Sequence, residues 1–194
     1  MFNCSPVDRV KMEKCQVPRM NKKILVIVVI AVVVVAVVVA GIYLTTSGGG
    51  DGGGGDGGGF VNPEIAGATS LQFSAELSAR GNPPITYTFS AKNIGTPIMA
   101  IRVEVSSSEA SFIYIVDKAE ETAWGFEINN WTDISADFAT QWNQWNSYLI
   151  QYKEELLSWT GSGDWTYTES NGVNVRIRDI SVNPSLPDSL FRPS

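Results

Sequence analysis

Few residues in this sequence are able to do covalent chemistry. The 194 residues include no histidine and only two cysteines, which excludes Ser-His-Asp and Cys-His nucleophiles, histidine-ligated zinc and an imidazole base. Carboxylates remain, paired at Glu120-Glu121 and Glu154-Glu155. A glycosidase needs two carboxyls on opposite sides of its substrate. Adjacent residues on a turn or a helix surface do not provide that, so no catalytic residue is assigned and the chain is not expected to be an enzyme. Ten glycines lie between Gly48 and Gly59, interrupted by Asp51 and Asp56. They lack the Lys-Ser/Thr pair and the following helix of a phosphate loop, and two aspartates are too few for a calcium loop. No metal or cofactor is therefore expected. Asn130-Trp131-Thr132 is an acceptor sequence for an N-linked glycan. Binding chemistry is better represented: Trp142-Asn143-Gln144-Trp145 offers rings and amides that would suit a sugar if exposed, or an apolar ligand if sheltered from water.

These residues must be carried by something, and the chain divides into four parts. Residues 1–23 form a basic tail, in which Arg9, Lys11, Lys14, Arg19, Lys22 and Lys23 outnumber Asp8 and Glu13 for a net of +4. From Ile24 to Leu44 run 21 uncharged residues, mostly Val, Ile and Ala, long enough to cross a bilayer as a helix. The positive-inside rule puts the tail in the cytoplasm and everything after Thr45 outside. The expected localisation is thus the cell membrane, single-pass, with the lipid bilayer as the partner of Ile24 to Leu44. A signal peptide cleaved after Ala40 is the competing reading. Met20, followed by Asn-Lys-Lys, resembles a translation start. Cys4 and Cys15 both precede the span, in a reducing compartment where a structural disulfide is not expected. Residues 45–63 are a Gly-rich linker, whose twelve-residue tract from Gly48 spans roughly 20 Å as a coil.

Residues 64–194 are the outward domain. From Phe60 onward the chain carries 8 basic and 16 acidic side chains, a net of −8, which repels phosphates and argues against a nucleic-acid partner. Strict alternation in Leu71, Phe73, Ala75, Leu77 and in Ile85, Tyr87, Phe89, Ala91 predicts half-buried antiparallel strands. Arg80 to Pro84 turns between them. A third strand carries Met99, Ile101, Val103 and Val105 opposite Arg102 and Glu104. Phe112 to Val116 is apolar on both faces, and a polar hairpin leads to Trp124, Phe126 and Ile128, completing a five-strand meander. The period then changes to seven, in Trp131, Phe138, Trp145, Tyr152 and Trp159, with Trp142, Leu149 and Leu156 at the offset. That predicts one amphipathic helix over about Ser135 to Trp159, capped by Ser135 and ended by Gly161 and Gly163. Two strands, near Trp165–Thr168 and Val173–Val182, follow around an Asn171-Gly172 turn. A twisted single sheet under one helix leaves a side that is hard to fill. An apolar cavity between Phe73, Phe89, Met99, Ile101, Trp124 and Phe126 of the sheet and Trp142, Trp145 and Leu149 of the helix is expected, with a closed aromatic core as the alternative.

Ile101-Arg-Val-Glu-Val105, Tyr114-Ile-Val-Asp117, Ala123-Trp124, Trp131-Thr-Asp-Ile-Ser135 and the closing Ile180-Ser-Val-Asn-Pro-Ser-Leu-Pro-Asp-Ser-Leu-Phe191 resemble, in order, elements of the LolA/LppX-like lipoprotein-carrier superfamily. The resemblance covers roughly residues 68 to 192. It implies an α+β fold in which a strongly curved antiparallel β-sheet, an unclosed barrel, is covered by helix and holds acyl chains. Here that domain would be preceded by a single transmembrane helix. A tethered protein does not shuttle between membranes, so the expectation is a stationary extracytoplasmic receptor for a lipid, a lipoprotein acyl chain or another apolar ligand. A carbohydrate-binding or purely structural envelope domain is the alternative. Protease added to intact cells is expected to remove the outward domain; its survival under conditions where lysed cells lose it would contradict the topology.

Overall fold

The structure, a computed structural model, describes residues Phe60 to Ser194. The basic tail at 1–23, the anchor expected at 24–44 and the linker up to Gly59 lie outside the described residues. The packed domain includes Asn62, ahead of the boundary expected at residue 64. Asn62 is buried, its N–H donates to the Leu157 carbonyl at 2.6 Å, and its side chain caps the short helix α1, Pro63–Ala66.

Eight strands form one curved, unclosed antiparallel sheet. They are β1 (Ser70–Ser78), β2 (Ile85–Lys92), β3 (Ala100–Ser106), β4 (Ser111–Asp117), β5 (Thr122–Glu127), β6 (Asn130–Asp133), β7 (Trp165–Thr168) and β8 (Asn174–Val182). Their spatial order is β6-β5-β4-β3-β2-β1-β8-β7. The two strands after the helix therefore join the sheet beside β1. Where β8 pairs with β1 the register shifts between Gln72 and Ser74, and Asp179 adopts φ 56°. Such an extra residue bends and twists the bulged strand.

The meander has six strands where the sequence predicts five. Ile128 and Asn129 both take left-handed φ, 49° and 60°, the geometry of a tight two-residue hairpin. That hairpin folds Trp131 back as part of β6, opposite Phe126. Trp131 is thus not the first residue of the helical stripe. A 3-10 turn at Ser135–Asp137 leads into helix α2, Phe138–Leu156. Ser135 does not cap it: the Ser135 Oγ accepts the Ala123 N–H at 3.0 Å and so ties the approach to β5.

Helix α2 crosses the strands rather than running along them. Trp145 meets Tyr114 of β4, Tyr148 meets Tyr87 of β2, and Tyr152 meets Phe73 and Phe89 of β1 and β2. Its 19 residues span about 28 Å at 1.5 Å each, close to the ~34 Å width of eight strands at ~4.8 Å spacing. One crossing carries the chain from the β6 edge to the β7 edge. The helix buries Trp145, Tyr148, Leu149, Tyr152 and Leu156 against Leu71, Phe73, Ala75, Phe89, Ile101, Val103, Val175 and Ile177.

A second, smaller core lies on the opposite sheet face. Ala100 and Ile115 are buried there with Phe191, and Trp124, Trp131, Leu186 and Leu190 pack around them. The chain after β8 lies over that face and ends in a 3-10 turn, Asp188–Phe191. Polar contacts add to that packing: Lys92 pairs with Asp188, Arg102 Nη1 donates to the Leu190 carbonyl at 3.3 Å, and Trp131 Nε1 donates to the Ser194 carbonyl at 3.1 Å. Phe89→Ala should lower the unfolding free energy by about 3–5 kcal/mol in urea titrations. Asp188→Ala, at an exposed ion pair, should leave the unfolding midpoint nearly unchanged; equal losses would contradict this division of the core.

Candidate functional site

Sheet parity decides where the expected ligand residues go. Trp124 pairs with Ile115 and Asp133 across its strand, and Phe126 with Ile113 and Trp131. These side chains share the face covered by the C-terminal segment, with the Phe126 and Trp131 ring centroids 5.0 Å apart. Ala123 and Gly125 take the helix-facing positions of β5 instead, in register with Val116 and Tyr114. Trp124 and Phe126 are therefore separated by the sheet from the other expected site residues.

The helix-covered interior is filled by side chains. Phe73 and Phe89 are 0% exposed and stacked with centroids 5.2 Å apart, and the Tyr152 ring meets them edge-on at 5.7 and 5.6 Å. Trp145 is 3% exposed, 4.8 Å from the Tyr114 ring and 6.0 Å from Tyr148. Ile101 and Leu149 are buried beside them. The closed-core alternative describes this region. It also removes the sugar platform, because Trp145 points into the core and leaves Trp142 as the one accessible ring of that pair.

Three expected residues border one groove, Trp142 half-buried and Met99 and Leu149 buried behind its surface. Met99, Trp142 and Leu149 line a groove of ≈ 530 Å³ between α2 and the β2–β3 connection. Ile94 and Ile150 extend its apolar wall, and Ile150 is 47% exposed. Positions 142, 146, 149, 150, 153 and 157 of the groove follow the 3–4 residue spacing of one helix face. The connection opposite is fixed by the Asn93 Nδ2 bond to the Ile98 carbonyl, 3.2 Å, and by left-handed φ at Asn93 and Gly95. Charges border the apolar wall. Lys118 Nζ stands 5.3 Å from the Trp142 ring centroid, Lys153 Nζ donates to the Ala66 carbonyl at 3.2 Å, and Glu154 also lines the groove. Such a slot suits an amphiphile with its chain along the helix and its polar end at the rim.

The paired carboxylates do not form a site with this groove. Glu120 and Glu121 sit on the exposed β4–β5 turn. Glu155 is pushed above the usual carboxylate range, first by burial and then by Glu169 and Glu154. Among the described residues no three of His, Cys, Asp and Glu come together as metal ligands. Asn130 is exposed on edge strand β6.

The sequence reading missed a tyrosine cluster. Tyr87, Tyr148 and Tyr152 are buried, and with Tyr167 all four phenols are pushed up, in each case mainly by burial. Tyr148 reaches about 12, with Glu169 adding to the effect. Alternation finds Tyr87 and the seven-residue period finds Tyr152, but Tyr148 lies one turn from Trp145 and outside that period. Scans against protein-family models, curated proteins and solved structures return no match.

The tyrosines set an alkaline limit. A buried phenol whose folded pKa exceeds its unfolded value of 10.0 favours the folded state fully below pH ~10, and that contribution is lost as pH rises through the folded pKa. Denaturant midpoints should be flat with respect to these groups up to pH ~10 and fall beyond it. Ultraviolet titration should show tyrosinate formation delayed in the native protein relative to the denatured one; coincident titrations would contradict the burial.

Proposed function

We propose that the described domain is a binding module that receives one apolar chain, from a lipid, a lipoprotein or another amphiphile, in the groove beside α2. The Ile24 to Leu44 anchor would hold it at the outer face of a cell membrane. The observation carrying this reading is the groove itself: apolar surface of Trp142 and Ile150 left open beside a core that is otherwise closed. Burying such surface is favourable by about 25 cal/mol per Å². A chain lying along four helical turns would need no opening of the aromatic core.

The LolA/LppX-like resemblance supports the same class of ligand, and membership of that superfamily is part of the proposal. The binding mode differs from what the resemblance implies. The interior between sheet and helix is occupied by Phe73, Phe89, Trp145 and Tyr152, so the ligand would lie against the flank of the helix. The tether makes the domain a stationary receiver, one that keeps a captured chain near its own membrane. A structural envelope domain without a ligand is the second reading, favoured by the closed core on the helix-covered face.

A photoreactive alkyl probe supplied to membranes containing the full chain separates the two. Labelling should concentrate in residues 142–157, and Ile150→Glu should reduce it at least fivefold while leaving the circular dichroism unchanged, because Ile150 is a surface position. Labelling spread evenly over the domain, or unaffected by Ile150→Glu, would leave the structural reading.

A further inference from the structure

The β5–β6 hairpin at the sheet's edge carries features that chain binding does not use. Asn130 and Thr132 belong to the Asn-Trp-Thr acceptor sequence and are both exposed. They lie two residues apart on β6, pairing with Glu127 and Gly125, and so project from the same side of the strand. Their neighbours are engaged: Trp131 Nε1 bonds the Ser194 carbonyl, and Asp133 Oδ1 accepts the Ser135 N–H at 2.9 Å. The side chains of Asn130 and Thr132 hold no hydrogen bond among the described residues.

The surroundings need cover. Among the described residues β6 is the outermost strand and one backbone edge of it has no neighbour, and open edges invite pairing with other chains. At the hairpin tip Ile128 is 75% exposed with φ 49°, an unusual conformation for a β-branched residue. An apolar, strained tip beside an open edge is a poor surface to leave bare.

We infer that Asn130 is an N-glycosylation site whose oligosaccharide covers the β6 edge and the Ile128 tip. The donor would be a saccharide linked to a polyprenyl phosphate. Asn130 Nδ2 bonds to the anomeric carbon, the bond from that carbon to the phosphate oxygen breaks, the lipid phosphate leaves with the electron pair, and the amide gives up one proton. The inference rests on the outward topology proposed above, because such transfer occurs on the non-cytoplasmic side.

The test uses the full chain synthesised with glycosylation-competent microsomes. One endoglycosidase-sensitive addition is expected, on the tryptic peptide 119–153. It should be lost in Asn130→Gln and Thr132→Ala and kept in Thr132→Ser. A control carrying Pro83→Ala and Pro84→Thr creates a second acceptor at Asn82, in the exposed β1–β2 turn. Modification of Asn82 in that control without modification of Asn130 would overturn the site and leave the topology standing. Modification of neither would overturn the topology and the site together.

Discussion

The stacked Phe73 and Phe89 pair, met edge-on by Tyr152, fixes the rest of the domain. It joins β1 and β2 directly across their ladder, where Phe73 lies opposite Phe89. A one-residue slip of β1 against β2 would turn one ring to the other face and withdraw it from the helix. The same contact sets where α2 crosses the sheet. With Tyr152 seated over β1 and β2, the helix period puts Tyr148 over Tyr87 and Trp145 over Tyr114, and it turns Trp142 and Ile150 toward the flank, where the groove opens. The open site follows from the closed one.

An eight-strand sheet with one helix has a second face to cover, and the chain covers part of it with its C-terminal segment. Apolar contact comes from Leu186, Leu190 and Phe191, while Lys92 and Arg102, at the rim, hold the segment through Asp188 and the Leu190 carbonyl. Lys92 Nζ also lies 4.7 Å from the centre of the Phe191 ring, so one cation contacts both the ring and the carboxylate of the segment. This second core explains why Trp124 and Trp131 are large without belonging to the helix-side packing.

Much of the fold is legible in the sequence. Alternation locates β1, β2, β3 and β5, the run Phe112 to Val116, apolar on both faces, locates β4, and the stripe from Phe138 to Leu156 locates α2. Three things are not legible, for different reasons. Trp131 falls on the seven-residue spacing by coincidence, and the turn before it, Ile128-Asn129, has none of the glycine that usually marks a tight hairpin. The face taken by Trp124 and Phe126 depends on cross-strand register, which a single strand's alternation does not carry. The filling of the interior depends on Tyr148 and Tyr152 together, and only one of them lies on the stripe. Of the expected ligand residues, Met99, Trp142 and Leu149 meet at the groove, Phe73, Phe89, Ile101 and Trp145 are core, and Trp124 and Phe126 lie behind the sheet.

The central claim is that an apolar chain binds against the flank of α2 and not between helix and sheet. Methyl-resolved magnetic resonance of the protein with a spin-labelled alkyl chain tests it most directly. The account predicts broadening of the Met99, Ile94 and Ile150 methyls, with Leu71, Val175 and Ile177 of the interior remaining sharp. Broadening of the interior methyls, or of none, would contradict it.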